Sequence, residues 1–109
     1  MRHRSPGKFR VVVTTCGSIA EARKIGRSAV AKRLAACANI VPKIESIYRW
    51  QGAVEAGVEV WVLMKTKAGR LKALERHIQE QHSYDLPEFL VLPVSTGSNV
   101  YLRWIEEST

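Results

Sequence analysis

The side chains in this sequence that could do chemistry are few: the thiols of Cys16 and Cys37, the imidazoles of His77 and His82, and the carboxylates of Asp85 and Glu88. Their spacing limits what that chemistry can be. His77 and His82 are five residues apart, about 140° of rotation on a helix, so they cannot share a metal ion as an i, i+4 pair would. The two cysteines form neither a metal ribbon nor a redox pair, and a disulfide between them is unexpected in a reducing compartment. Each reads more readily as a small buried side chain than as a ligand. No nucleophile–base pair, glycine-rich phosphate loop or carboxylate couple stands out, which argues against an enzyme. Gly17-Ser18 offers backbone amides at a helix start to an anion, a weak signal alone.

The elements that must position these residues can be read from periodicity. Phe9 to Thr15 is rich in β-branched residues and stops at Gly17, which predicts a strand and a turn. Ser18 can cap the next element. Ala22, Ile25, Ala29, Val30, Leu34 and Cys37 then recur at helical spacing and predict an amphipathic helix from about Ile19 to Ala35. Cys37 to Trp50 is extended, Gln51-Gly52 turns the chain, and Val54 to Thr66 returns. On the returning strand Val58, Val60, Val62 and Met64 share one face, while Glu59, Trp61, Leu63 and Lys65 share the other. Gly57 is expected to mark a bulge or bend. Leu71, Leu74 and Ile78 stripe a second helix ending near His82. Pro87 opens a last strand, Glu88 to Val94, and Gly97-Ser98 starts a short closing helix.

This order predicts an α+β domain, a ferredoxin-like βαββαβ sandwich with a long hairpin between its second and third strands and a short C-terminal helix. Strands one and three should be central. Pro42 and Pro93 fall in strands two and four, the edges, where a missing N–H does no harm. Each hairpin arm is about 13 residues, or roughly 40 Å, against about 20 Å for the outer strands. One helix cannot cover such a sheet, and Ile47, Tyr48, Trp50 and Trp61 would leave an apolar patch in water. The economical solution is a ring of subunits whose hairpins complete each other's sheets. Tyr48, Trp50, Tyr84 and Trp104 are then packing anchors at subunit contacts. Glu59 and Lys65, six residues apart on one strand, are expected to pair across the hairpin or an interface with Arg49, Lys43 or Glu88.

Length and charge bound the function class. A chain of 109 residues is one domain. Its formal charge of +7 is concentrated, with Arg2, Arg4, Lys8 and Arg10 unopposed at the start and the next excess at Arg23, Lys24, Arg27, Lys32 and Arg33. A flexible basic tail over residues 1–8, ahead of a domain over 9–107, and one solvated helix face account for it, so nucleic-acid binding is not expected. No apolar run reaches the length of a membrane span, and no secretory signal is read, so the expected location is the cytoplasm.

Five blocks in order resemble the CutA divalent-cation tolerance proteins. Arg33 to Pro42 (RLAACANIVP) is the strongest. Ser46 to Gly52 (SIYRWQG), Glu59 to Thr66, His82 to Glu88 (HSYDLPE) and Tyr101 to Trp104 (YLRW) complete the series. The resemblance implies a homotrimer, related in architecture to the PII signalling proteins, with a role in tolerance of divalent metal ions and a capacity to bind copper. It implies a histidine ligand at His82 and a cysteine ligand near the end of strand one, where Cys16 stands. The family's usual proline after that histidine is replaced by Ser83, and the loop after strand one is one residue shorter. Thiol and imidazole suit copper, but two ligands need a third donor, from water or a neighbouring chain. The residues assigned to subunit contacts or clefts are Cys37, Tyr48, Trp50, Glu59, Lys65, Tyr84, Glu88 and Trp104. A competing reading is a PII-like trimer that senses a small anionic ligand in clefts between subunits. A third is a trimeric scaffold for other proteins.

Overall fold

The computed structural model describes residues 7–109. Strand β1 (Phe9–Cys16) leads into helix α1 (Ile19–Ala31), then the hairpin of β2 (Cys37–Trp50) and β3 (Ala53–Lys67). A single 3-10 turn (Ala68–Arg70) opens α2 (Leu71–Gln81), followed by β4 (Leu90–Pro93) and α3 (Asn99–Ser108). The four strands form one antiparallel sheet in the order β2-β3-β1-β4, so β1 and β3 are central and both strand prolines lie at edges.

The valine and methionine stripe of β3 does what its period predicts. Val60, Val62 and Met64 are buried with Val12 and Cys16 of β1, and Ala22, Ile25, Ala29, Leu74 and Ile78 of the two long helices cover them. Full burial of the valine, leucine, isoleucine and methionine side chains among them is worth about 1.5–3 kcal/mol each. Between the helices, the buried His77 places Nε2 at 2.6 Å from the Ser28 hydroxyl, which itself donates to the Ile25 carbonyl at 3.2 Å. The imidazole is therefore the donor in that contact.

Several boundaries differ from the sequence reading. Helix α1 stops at Ala31, four residues early, because Lys32 caps it and Arg33 takes a left-handed φ of 60°. The apolar run continues past the helix because Ala35 and Ala36 are buried by the sheet, the Ala36 amide donating to the Lys65 carbonyl. The last strand is only Leu90–Pro93, since Glu88 and Phe89 lie outside the ladder. The irregularity in the hairpin falls between Val41 and Ile44, around Pro42, whereas Gly57 pairs regularly with Ser46. Proline, unable to donate to the ladder, is the stronger reason for a bulge. The tight turn sits where Gln51-Gly52 predicts it, with φ of 49° and 82°, a left-handed pair that suits a two-residue hairpin loop.

β1 pairs with β3 only from Val60 to Lys67, so the seven residues Ala53 to Glu59 and the β2 segment opposite form a bare two-stranded ribbon. The radius of gyration, 15.0 Å, exceeds the roughly 13 Å of a compact chain of this length. The sheet face turned away from α1 and α2 is covered at one end by α3, through buried Ile105. Val41, Trp61, Leu90 and Leu92 remain exposed on it. The basic tail expected at the N-terminus falls, for residues 1–6, outside the described residues; Lys8 pairs with Glu106 at 2.9 Å. No helix among the described residues is long and apolar enough to cross a membrane.

Candidate functional site

Cys16 is the last residue of β1, Glu21 lies in the first turn of α1, and His82 caps the C-terminus of α2. The antiparallel layout brings these three ends together. The Cys16 thiol, a Glu21 carboxylate oxygen and a His82 ring nitrogen all lie within 4.8 Å of one another. A carboxylate of the same chain, Glu21, thus stands beside the two residues that the resemblance singles out. Its presence follows from helix capping. Ser18 accepts a hydrogen bond from the Glu21 amide at 3.1 Å, the first half of a capping box. The glutamate side chain does not fold back to complete that box; its Oε2 accepts from the Ser83 amide at 3.2 Å. Its Oε1 is left buried without a hydrogen-bond partner.

The local chemistry is closed in two respects. Burial, followed by the negative charges of Glu21 and Glu59, pushes the Cys16 thiol up to about 12, so it is protonated at neutral pH. His82 has an inaccessible side chain and uses both ring nitrogens: Nε2 donates to the Thr15 carbonyl at 2.6 Å, and Nδ1 accepts from the Tyr84 amide at 3.1 Å. The Glu21 carboxylate stands 3.7 Å from Nδ1. Sulfur, nitrogen and oxygen donors at this spacing fit a borderline or soft metal ion by type, and the orphaned Glu21 oxygen fits a cation. Ligation would require Cys16 to lose its proton and Nδ1 to give up the Tyr84 amide.

The other residues singled out in the sequence divide into two groups. Tyr48 and Trp50 from the distal hairpin, Glu59 of β3, and Tyr84 and Glu88 from the segment after α2 line one cleft of about 590 Å³ together with Thr15, Ser83, Asp85, Leu86 and Pro87. The Tyr84 hydroxyl donates to Glu59 at 3.0 Å, so Glu59 is partnered by a phenol; the pairing expected with Arg49 or Lys43 is not among the ion pairs of the described residues. Burial and that hydrogen bond push the Tyr84 hydroxyl up to about 12. Burial, and then the charge of Glu59, raises the Glu88 carboxyl above its ordinary range. Gly17 permits the close approach of this tyrosine, since a Cβ there would stand 3.2 Å from its hydroxyl.

Cys37, Lys65 and Trp104 lie elsewhere. Cys37 opens β2 opposite Lys65 and donates to the Asn39 side chain at 3.3 Å. The Lys65 ammonium sits 5.6 Å from the centre of the Tyr101 ring, which packs 5.4 Å from Trp104. Glu21 is the functional candidate that sequence reasoning missed. The Ser18-x-x-Glu21 pattern was there to be read, but as a helix signal.

A family model described as the CutA1 divalent ion tolerance protein matches residues 10–108. The chain is 42% identical over 99 residues to a divalent-cation tolerance protein CutA of Thermus thermophilus, covering 91% of this chain and 96% of that one. It is 41% identical over 99 residues to a chloroplastic protein CutA of Arabidopsis thaliana, covering 91% of this chain and 54% of that protein. It spans little more than half the length of this plant relative. The structure of a periplasmic divalent cation tolerance protein CutA from Archaeoglobus fulgidus superposes with a TM-score of 0.89 at 31% identity, covering 92% and 97% of the two chains. These names overturn the expectation of a cytoplasmic location. Related chains occupy a chloroplast and a periplasm, because targeting resides in segments that a domain's packing does not encode. On the match across residues 10–108 and the identity to its relatives, this chain belongs to the CutA1 divalent ion tolerance family.

Proposed function

We propose that this protein is a non-catalytic homotrimer that serves tolerance of divalent metal ions and binds copper through Cys16, Glu21 and His82. The observation that carries the metal reading is the convergence of a thiol, a carboxylate and an imidazole from the ends of three elements, with one carboxylate oxygen buried and unpartnered. Copper stands at the top of the divalent series for such donors. A bound copper ion would supply the positive charge that the Glu21 oxygen lacks. Cys16 would ligate as thiolate, so binding releases a proton and tightens as pH rises. His82 would turn Nδ1 from the Tyr84 amide to the metal. These two costs place the affinity in a moderate range.

The trimer is supported by what the single chain leaves undone. Its ribbon extends past the sheet, its two edge strands are open, and Trp61, Val41, Leu90 and Leu92 stand exposed on one face. An exposed apolar face of this kind marks an association surface. In the trimer Cys37, Tyr48, Trp50, Glu59, Lys65, Tyr84, Glu88 and Trp104 lie at or beside subunit contacts. The anion-sensing alternative draws no support from the cleft, whose lining holds three carboxylates and no lysine or arginine.

Copper titration of the wild type against Cys16→Ser and His82→Gln tests the metal site. One ion per chain in the wild type, lost or weakened in both variants, is the expected result; unchanged stoichiometry and affinity in both overturns it. Size-exclusion chromatography with light scattering should give three times the chain mass, and a monomer at micromolar concentration defeats the assembly.

A further inference from the structure

Two successive backbone amides after α2 serve the donors of the candidate metal site. The Ser83 amide donates to Glu21 Oε2 at 3.2 Å, and the Tyr84 amide donates to His82 Nδ1 at 3.1 Å. Only the first of these bonds is compatible with ligation. The ring nitrogen must leave the Tyr84 amide to reach a metal, whereas Glu21 has a second oxygen to offer. That oxygen, Oε1, is the buried and unpartnered one, 3.7 Å from His82 Nδ1.

A carboxylate on the first turn of a helix has reason to swing out to water, because an ionised oxygen without a partner is costly to bury. Glu21 does not swing out; its side chain is only 17% exposed. Its backbone is fixed by Ser18, whose hydroxyl accepts from the Glu21 amide at 3.1 Å. The freedom that remains lies in the side-chain rotamers. A charge-assisted hydrogen bond from Ser83 to one oxygen removes that freedom. Since the two carboxylate oxygens are rigidly joined, holding Oε2 also aims Oε1 inward. The contact is made by the N–H of an exposed residue and does not use its hydroxyl. What position 83 supplies is therefore a backbone donor, which any residue but proline can give.

We propose that Ser83, through its backbone N–H, is a positioning residue for the metal site: it commits Glu21 Oε2 and holds Oε1 towards Cys16 and His82. This role rests on the copper reading and extends it from the donors to the turn that orients one of them. Outer contacts of this kind fix the orientation of a ligand and with it the affinity for the metal.

Ser83→Pro deletes the N–H with little other disturbance, because His82 already holds φ −84° and ψ 140°, the extended conformation that a following proline favours. Ser83→Ala keeps the N–H. In copper titrations by isothermal calorimetry, Ser83→Ala should match the wild type and Ser83→Pro should bind about tenfold more weakly. In a Glu21→Ala background Ser83→Pro should cost nothing further, since the amide then has no carboxylate to hold. A further tenfold loss in that background would assign the effect to the backbone at large and overturn the proposal. Full affinity in Ser83→Pro, where Cys16→Ser weakens binding, overturns it while leaving the metal site standing. A wild type that takes up no copper sinks the metal reading, and this role with it. One readout needs no metal: in a strong chelator, NMR should show the Ser83 amide exchanging with water about tenfold more slowly in the wild type than in Glu21→Ala, with the Tyr84 amide little changed. Equal exchange of the Ser83 amide in the two proteins overturns the proposal even if Ser83→Pro fails to fold, which circular dichroism melts decide.

Discussion

Replacing His82 by alanine should destabilise the protein even when no metal is present. The inaccessible imidazole ties the end of α2 to β1 and to the segment that follows: it donates to the carbonyl of Thr15 in β1, accepts from the amide of Tyr84, and packs with its ring centre 4.7 Å from the Tyr84 ring, tilted by 49°. Alanine orphans the Thr15 carbonyl, at about 1–3 kcal/mol, whereas the more exposed Tyr84 amide regains water and costs about 1 kcal/mol or less. Loss of the ring contact adds about 0.5–1.5 kcal/mol. The sum is about 1.5–5.5 kcal/mol. Urea denaturation in a strong chelator, at a fixed chain concentration because association shifts apparent stability, measures it directly. His82→Gln, which keeps a donor and an acceptor, should recover about half. A His82→Ala variant within about 0.5 kcal/mol of the wild type would refute the strut and leave metal binding as the residue's main task.

Acidification should weaken the fold through His77. Its pKa lies below the ordinary 6.5, first through burial and then through the charge of Lys32, with Glu80 opposing. A histidine whose native pKa is depressed binds its proton more readily when unfolded, so stability falls as pH drops through 6.5 towards the native value. His77→Gln should flatten that slope in melts across pH 7.5 to 5, and an unchanged slope would assign it to other groups. Gly52, at φ 82°, holds a left-handed turn position that a Cβ disfavours, so Gly52→Val should lower stability by about 1–2 kcal/mol in chemical denaturation. Cys16, fully buried and with its thiol pushed up to about 12, should resist iodoacetamide in the native protein and react once urea unfolds it. Mass spectrometry of the alkylated peptides reads this outcome.

The order of the residues was enough to establish the element order, the central and edge strands and the register of the β3 stripe. Periodicity and proline placement are local consequences of backbone geometry, so they survive without coordinates. Where the local signals misled, an apolar residue was serving a different neighbour. Leu34 and Cys37 continue the helical spacing, but Leu34 packs against the core past the helix end and Cys37 opens β2, and Arg33 ends the helix with a φ that no composition rule announces. The pairing of Cys16 with His82 was legible by resemblance alone, since nothing in their spacing, 66 positions apart, says that they meet.

What surrounds those two residues was settled by packing. Glu21 looks like half of a capping box until the chain end of α2 arrives to take its carboxylate, and Glu88, assigned from the sequence to a contact or cleft, lines one cleft with Glu59, Tyr48, Trp50 and Tyr84. The physical reason is that donor sets and clefts are built from element ends, and their separation is set by how strands cross a sheet. Side-chain type is written locally; the distance between a thiol, a carboxylate and an imidazole is a property of the packed whole.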